Sequence, residues 1–286
     1  MATTIAERLS AARKLTPAET RLSDALMANY PFAGLGSVTH LARLGGVSAP
    51  TVTRLARKLG FGGFPDMQAA LRAELEAQAQ DPIAKRALWA GEAPTGHVLN
   101  SFTEAVIGDI RQTLERIDIA GFDKAARLLA DKRRAVFVTG GRITRTLAEY
   151  LHLHFEVLRP GVTHIRSNSN TWPHQALDIG RGDLLVAFDV RRYETSTLKL
   201  AEIAKARGAR IILFTDRWRS PAAKIADHVF ACRIEAPSAW DSAVPVLLLV
   251  ETLIAAVQEH TWKHTRKRME ALERMFDETG LFRKFG

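Results

Sequence analysis

Cysteine is nearly missing from this 286-residue chain: Cys232 stands alone, so no intrachain disulfide can form. It lies in an apolar, strand-like run, which marks a buried structural thiol rather than a nucleophile. An unbroken apolar run long enough for a bilayer is also missing, because the stretch Ala243 to Val257 is interrupted by Pro245 and Glu251. Glu7 and Arg8 stand where a secretory signal would be apolar, so the expected compartment is the cytoplasm, with no membrane partner. Acidic residues are in deficit, 31 against 40 Lys and Arg, and the net charge of +9 favours an anionic partner. That surplus is spread along the chain. Residues 1–80 carry a net of only +3, so charge by itself does not single out nucleic acid. Metal-ligand spacing is lacking too. His152 and His154 are two apart on a predicted helix and do not share a face, and His260 and His264, four apart, have no third ligand. Neither a metal nor a cofactor is expected.

What is present begins with local helix signals. Thr16-Pro17-Ala18-Glu19 is a capping box with proline at the first helical position, opening a helix that turns Leu22, Leu26 and Ala25 inward and ends before Pro31. Ser37 caps a short helix through Leu44, which Gly45-Gly46 stops. Ser48 then offers an N-cap oxygen to a second helix with Pro50 in its first turn, and Val52, Leu55 and Leu59 recur at helical spacing toward a core. Thr51, Thr53, Arg54, Arg57 and Lys58 are left for the polar face. Helix, glycine turn and capped second helix is the helix-turn-helix layout, and Thr or Arg early in the second helix can reach base edges while Arg57 and Lys58 reach phosphates. The expected DNA-contacting set is Ser37, Ser48, Pro50, Thr51, Thr53, Arg54, Arg57 and Lys58.

Phe61-Gly62-Gly63-Phe64-Pro65-Asp66 is a turn into a further helix, Met67 to Ala77, and a Gln- and Ala-rich stretch ending at Asp81-Pro82 marks a boundary. A longer helical pattern from about His97 to Arg116 repeats Phe102, Val106, Ile110 and Leu114 as a core or dimer stripe. From Arg134 the regime changes to short apolar strands, at 135–138, 162–165, 184–188, 211–214 and 228–232, alternating with amphipathic helices. Such alternation predicts a parallel sheet covered on both faces, with ligands at the carboxyl ends of its strands. Three strand ends carry candidate ligand groups: Gly140, Gly141, Arg142 and Thr144; Ser167, Asn168 and Ser169; and Asp189, Arg191, Arg192, Tyr193 and Thr195. Glycines let backbone amides approach an anion, and either Arg191 or Arg192 is suited to clamp a phosphate or carboxylate.

Taken together, these segments resemble the RpiR-type bacterial transcription regulators, which join an N-terminal helix-turn-helix domain to a C-terminal sugar isomerase (SIS) domain. The resemblance rests on residues 15–19, 47–54 and 57–64, and in the C-terminal half on 204–209, Thr215-Asp216 and Ser220-Pro221. It implies an all-α helix-turn-helix domain followed by a flavodoxin-like five-stranded parallel sheet, homo-oligomers, double-stranded operator DNA as partner and a phosphosugar effector. The division expected is 1–80 for DNA binding, 81–120 for a linker or helical connection, 121–262 for the SIS domain and 263–286 for a helical tail. Where SIS domains show Ser-x-Ser-Gly-x-Thr around a phosphate, this chain has Asp189-Val190-Arg191-Arg192-Tyr193-Glu194. Asp189 and Glu194 repel a phosphate unless the arginines offset them, which leaves a carboxylate or another metabolite open as effector. An isomerase-type enzyme is the alternative, with Glu235, Asp241 or His174 as nominal bases.

Overall fold

The computed structural model describes residues 4–12, 14–79, 97–166 and 170–282. The chain divides into two compact units, at residues 1–85 and 86–286. The first unit is helical: α1 (Ile5–Ala11), α2 (Pro17–Ala28), a single 3-10 turn (Phe32–Gly34), α3 (Val38–Leu44), α4 (Ala49–Lys58) and α5 (Phe64–Ala79). Capping boxes open two of them, Thr4 with Glu7 and Thr16 with Glu19. Each satisfies an orphan amide at both ends of the motif, which stabilises helices too short to stand alone. Leu22, Leu26, Leu41, Val52, Leu55, Met67 and Leu71 form one core between them. Gly45 lets α3 come close to α2, since a Cβ there would lie 3.0 Å from the Leu22 Cα. Gly46 follows at φ +59°, a conformation glycine adopts without strain, and turns the chain into α4.

The second unit runs α6 (Val98–Leu114), α7 (Ile119–Ala130), β1 (Val136–Gly140), α8 (Arg145–Leu158), β2 (Val162–Ile165), α9 (Trp172–Ala176), β3 (Leu184–Asp189), α10 (Thr195–Ala206), β4 (Arg210–Asp216), a 3-10 turn (Pro221–Lys224), β5 (His228–Cys232) and α11 (Val244–Thr279). All five strands are parallel, in the order β2-β1-β3-β4-β5. On one face Phe137, Leu185, Ala187, Ile211 and Leu213 meet Leu200, Ala201 and Ala204 of α10. On the other, Phe188 stacks on Phe214 with centroids 4.8 Å apart, and Phe214 meets Phe230 at 5.2 Å. Burial on both faces explains why these strands read as continuous apolar runs.

Two helices differ from the sequence expectation. In α6 the buried positions are Val106, Asp109 and Thr113, while Leu114 is exposed. A repeat of strictly four residues drifts around a helix of 3.6 residues per turn, so a stripe drawn every fourth residue leaves the packed face. Helix α11 passes unbroken across the expected boundary at 262/263, with Leu249, Val250, Leu253 and Val257 buried and Thr265 Oγ1 donating to the Leu158 carbonyl at 3.3 Å. By length and composition α11 also qualifies as a bilayer span. Its apolar stripe packs on α7 and α8.

A single arginine ties the turns at the amino ends of β1 and β2. Arg159 is 1% exposed, and its guanidinium donates to the carbonyls of Leu129, Asp131, Arg134 and Pro160. Burial lowers its pKa below the usual arginine value. Replacing it with methionine keeps the apolar stem and strands those carbonyls. Arg159→Met is expected to lower the unfolding free energy by about 3 kcal/mol, read from urea denaturation of the full chain.

Candidate nucleic-acid interface and ligand crevice

In the first unit Ser37 Oγ accepts from the His40 amide at 3.2 Å and caps α3. Ser48 occupies the N-cap position of α4, but its hydroxyl meets Thr51 Oγ1 at 3.0 Å rather than a backbone amide. Thr51 itself is a correction to the sequence reading. It is 7% exposed, because it lies one turn before Leu55 on the same inward stripe. Its hydroxyl accepts from Arg54 Nη2 at 3.1 Å and so anchors that side chain instead of reaching outward. Thr53 is half-buried and donates to the Ala49 carbonyl at 3.4 Å. Lys58 is likewise engaged within the unit, with Nζ 2.8 Å from both Glu19 Oε2 and the Lys14 carbonyl. Ser48, Pro50, Arg54 and Arg57 are exposed, as are Thr39, His40 and Arg43 on α3, which the sequence reading did not select.

In the second unit the strand order changes direction between β1 and β3, and the crevice of such a sheet opens there at the carboxyl ends. The β1 turn closes on itself: the Gly141 amide donates to Thr144 Oγ1 at 2.8 Å, and that hydroxyl donates to the Phe188 carbonyl of β3 at 2.9 Å. Gly140 must be glycine, since a Cβ would lie 2.6 Å from the Thr144 backbone. The Arg142 amide donates to Glu194 Oε1. Across the gap Asp189 ends β3 buried, accepting from Ser220 Oγ and from the Glu194 amide at 3.2 Å. Asp216 ends β4 fully buried, accepting from the Arg191 amide and Tyr193 hydroxyl at 2.7 Å each and from the Trp218 amide at 2.9 Å. Burial raises the pKa of Asp216 and pushes the Cys232 thiol up as well, as befits a structural cysteine.

Arg191, one of the two candidate clamps, is engaged within the chain. Its guanidinium pairs with Asp241 at 3.2 Å and stacks 4.1 Å over the Trp218 ring. Arg217 covers the same ring at 4.7 Å and pairs with Glu235 at 2.9 Å. Arg233 joins Glu235 at 3.6 Å to Asp109 of α6 at 3.1 Å. Two of the nominal catalytic bases, Glu235 and Asp241, are thus held in ion pairs, and His174 is exposed on α9. Arg192 and Thr195 are exposed at the rim, and Ser167, Asn168 and Ser169 lie outside the described residues. Asp216, Trp218 and Ser220 complete the site. Asp216 and Ser220 fall in the segments that carried the family resemblance, which was the available signal for them. Among the described residues no group of three or more His, Cys, Asp or Glu is placed to hold a metal ion.

Residues 3–78 match the helix-turn-helix domain of the rpiR family, and residues 128–256 match the SIS domain. The chain thus carries a helix-turn-helix domain of the rpiR type followed by a SIS domain. It is 24% identical over 249 residues to an uncharacterized HTH-type transcriptional regulator of Clostridium perfringens, covering 85% of this chain and 88% of that one. It is 27% identical to the bifunctional protein glk of Paraburkholderia xenovorans, matching 75% of this chain but only 34% of that longer protein. Among solved structures, the Vibrio vulnificus NanR protein complexed with ManNAc-6P has the same fold, with a TM-score of 0.54 and 18% identity over 97% of this chain and 98% of that one. The chain thus joins an rpiR-type helix-turn-helix domain to a SIS domain built on a five-stranded sheet.

The buried acids set a pH dependence. Burial raises the pKa of Asp109 to about 6, with repulsion from Glu235 adding and the Arg233 hydrogen bond opposing. Asp189 rises to about 6 for the same first reason, opposed by Ser220. An unfolded aspartate titrates near ~3.9, so between about pH 4 and 6 the folded state holds more protons and stability falls as pH rises. Above about pH 6 that cost is fully present. Asp109→Asn removes one such titration. Its unfolding free energy relative to wild type should therefore improve by the order of 2 kcal/mol between about pH 4 and pH 7, read from paired urea denaturations.

Proposed function

We propose that this regulator lays α4 in the major groove of a double-stranded operator and senses a small carbohydrate derivative at the β1/β3 crevice. It works as a homo-oligomer in the cytoplasm and is not an enzyme. The observation that carries the DNA reading is the polar face of α4. Arg54 is exposed yet braced by Thr51, and Arg57 is exposed beside the Gly60–Gly63 turn with its Nε 3.4 Å from the Gly62 carbonyl. A braced arginine loses less side-chain freedom on meeting a base edge than a free one. With Lys58 occupied by Glu19, Arg54 is assigned to base reading and Arg57 to phosphate contact.

As a two-fold oligomer its paired heads read half-sites about 34–36 Å apart on one face of the duplex. Effector binding then biases the placement of the heads to the extent that the ligand prefers one arrangement. The carbohydrate class is suggested by the SIS fold and by the NanR relative, whose structure holds ManNAc-6P.

Arg54→Ala is expected to cost about 1–3 kcal/mol on an operator duplex selected in vitro and to relax base preference. Arg57→Ala should weaken operator and random duplexes alike and lower the slope of log affinity against log salt by about one. Fluorescence anisotropy over a salt series reads both. Equal losses on operator and random DNA for Arg54→Ala would remove its base-reading role.

A further inference from the structure

The crevice already contains an anion, and it belongs to the chain. Backbone amides at strand-to-helix turns are the groups with which an open α/β sheet holds a phosphate. Here four amides of the turns flanking the β1/β3 gap are committed. The Arg142 amide ends on the Glu194 carboxylate, the Arg191 amide on Asp216 at 2.7 Å, and the Glu194 amide on Asp189 at 3.2 Å. The Gly141 amide is taken by Thr144 Oγ1. Room is filled as well as hydrogen-bonding capacity: a Cβ on Gly141 would lie 2.6 Å from Glu194 Oε1, so that oxygen rests directly against the turn. Arg191, a cation of the same loop, is turned to Asp241 and Trp218.

We propose that Glu194 is the crevice's built-in anion and its specificity determinant, excluding ligands that bear a phosphate from the β1/β3 turn. The effector is accordingly an unphosphorylated carbohydrate derivative. This deepens the effector reading above and rests on the crevice being the effector site. The rival source of phosphate affinity is the pair of exposed guanidiniums at the rim, Arg142 and Arg192. If they suffice to hold a phosphate against Glu194, the proposal fails.

The test is calorimetric titration of the full chain with inorganic phosphate. Three variants accompany wild type: Glu194→Ala, the shape-preserving Glu194→Gln, and Glu202→Ala, which removes an exposed acid from the same helix α10 as a control for net charge. Expected is no saturable binding by wild type or Glu202→Ala, and binding by Glu194→Ala at least about tenfold tighter than either. Glu194→Gln can still accept from the Arg142 amide while losing the charge, so it should gain less, and it carries the test if circular dichroism shows the alanine variant unfolded. Saturable phosphate binding by wild type, no gain in the folded Glu194 variants, or an equal gain in Glu202→Ala would each overturn the proposal. Binding of the same proteins to random duplex DNA is read in parallel. Its retention separates failure at the crevice from failure of the DNA reading.

Discussion

The second unit depends on how it keeps two carboxylates, Asp189 and Asp216, in the dry carboxyl ends of adjacent strands. A buried charge without partners is too costly to persist, so each must draw donors from its surroundings. The hydroxyls of Ser220 and Tyr193 and three loop amides, those of Arg191, Glu194 and Trp218, are arranged around them for that purpose. The β3 loop is held in shape by this demand, including the left-handed backbone of Arg192 at φ +60°. Much of what a ligand would find on that side of the crevice is the by-product of satisfying these two acids.

The same demand spreads outward through a set of buried and half-buried ion pairs. Arg191, Arg217 and Arg233 alternate with Asp241, Glu235 and Asp109, and the indole of Trp218 lies between two of the guanidiniums. These pairs, bridged by the Trp218 ring, join the crevice loop to α6 through side chains that are buried or half-buried and each paired. Breaking one member exposes the next to an unmatched charge, so the set acts together. The first unit follows a simpler rule. Its helices are short, and capping boxes, one glycine pair and a shared apolar core hold them in register.

Much of this architecture was legible in the residues. The capping box at Thr16, the Gly45-Gly46 stop and the apolar runs of all five strands are local signals, because they arise from backbone conformation and side-chain periodicity within a few residues. The inward turn of Thr51 was a matter of helical phase, hidden by the small polar side chain at a core-facing position. Asp109 hid the packed face of α6 in the same way, since hydropathy counts a buried, paired aspartate as a surface residue. The contribution of Arg159 had no local signal, as the carbonyls it satisfies come from turns up to 30 residues away.

By itself the sequence determined the element types, the helix-turn-helix followed by a parallel sheet, and the loops that flank the crevice. Those features follow from short-range stereochemistry and from the alternation of apolar and polar positions. Tertiary structure alone decided which charged side chains face outward. Arg54, Arg57 and Lys58 all remain on the surface, but Lys58 is taken by Glu19, and Arg191 turns inward while Glu194 reaches across to the Arg142 amide. The physical reason is that a charge commits to whichever opposite partner the fold brings within a few ångströms, and that distance is set by packing between segments far apart in the chain.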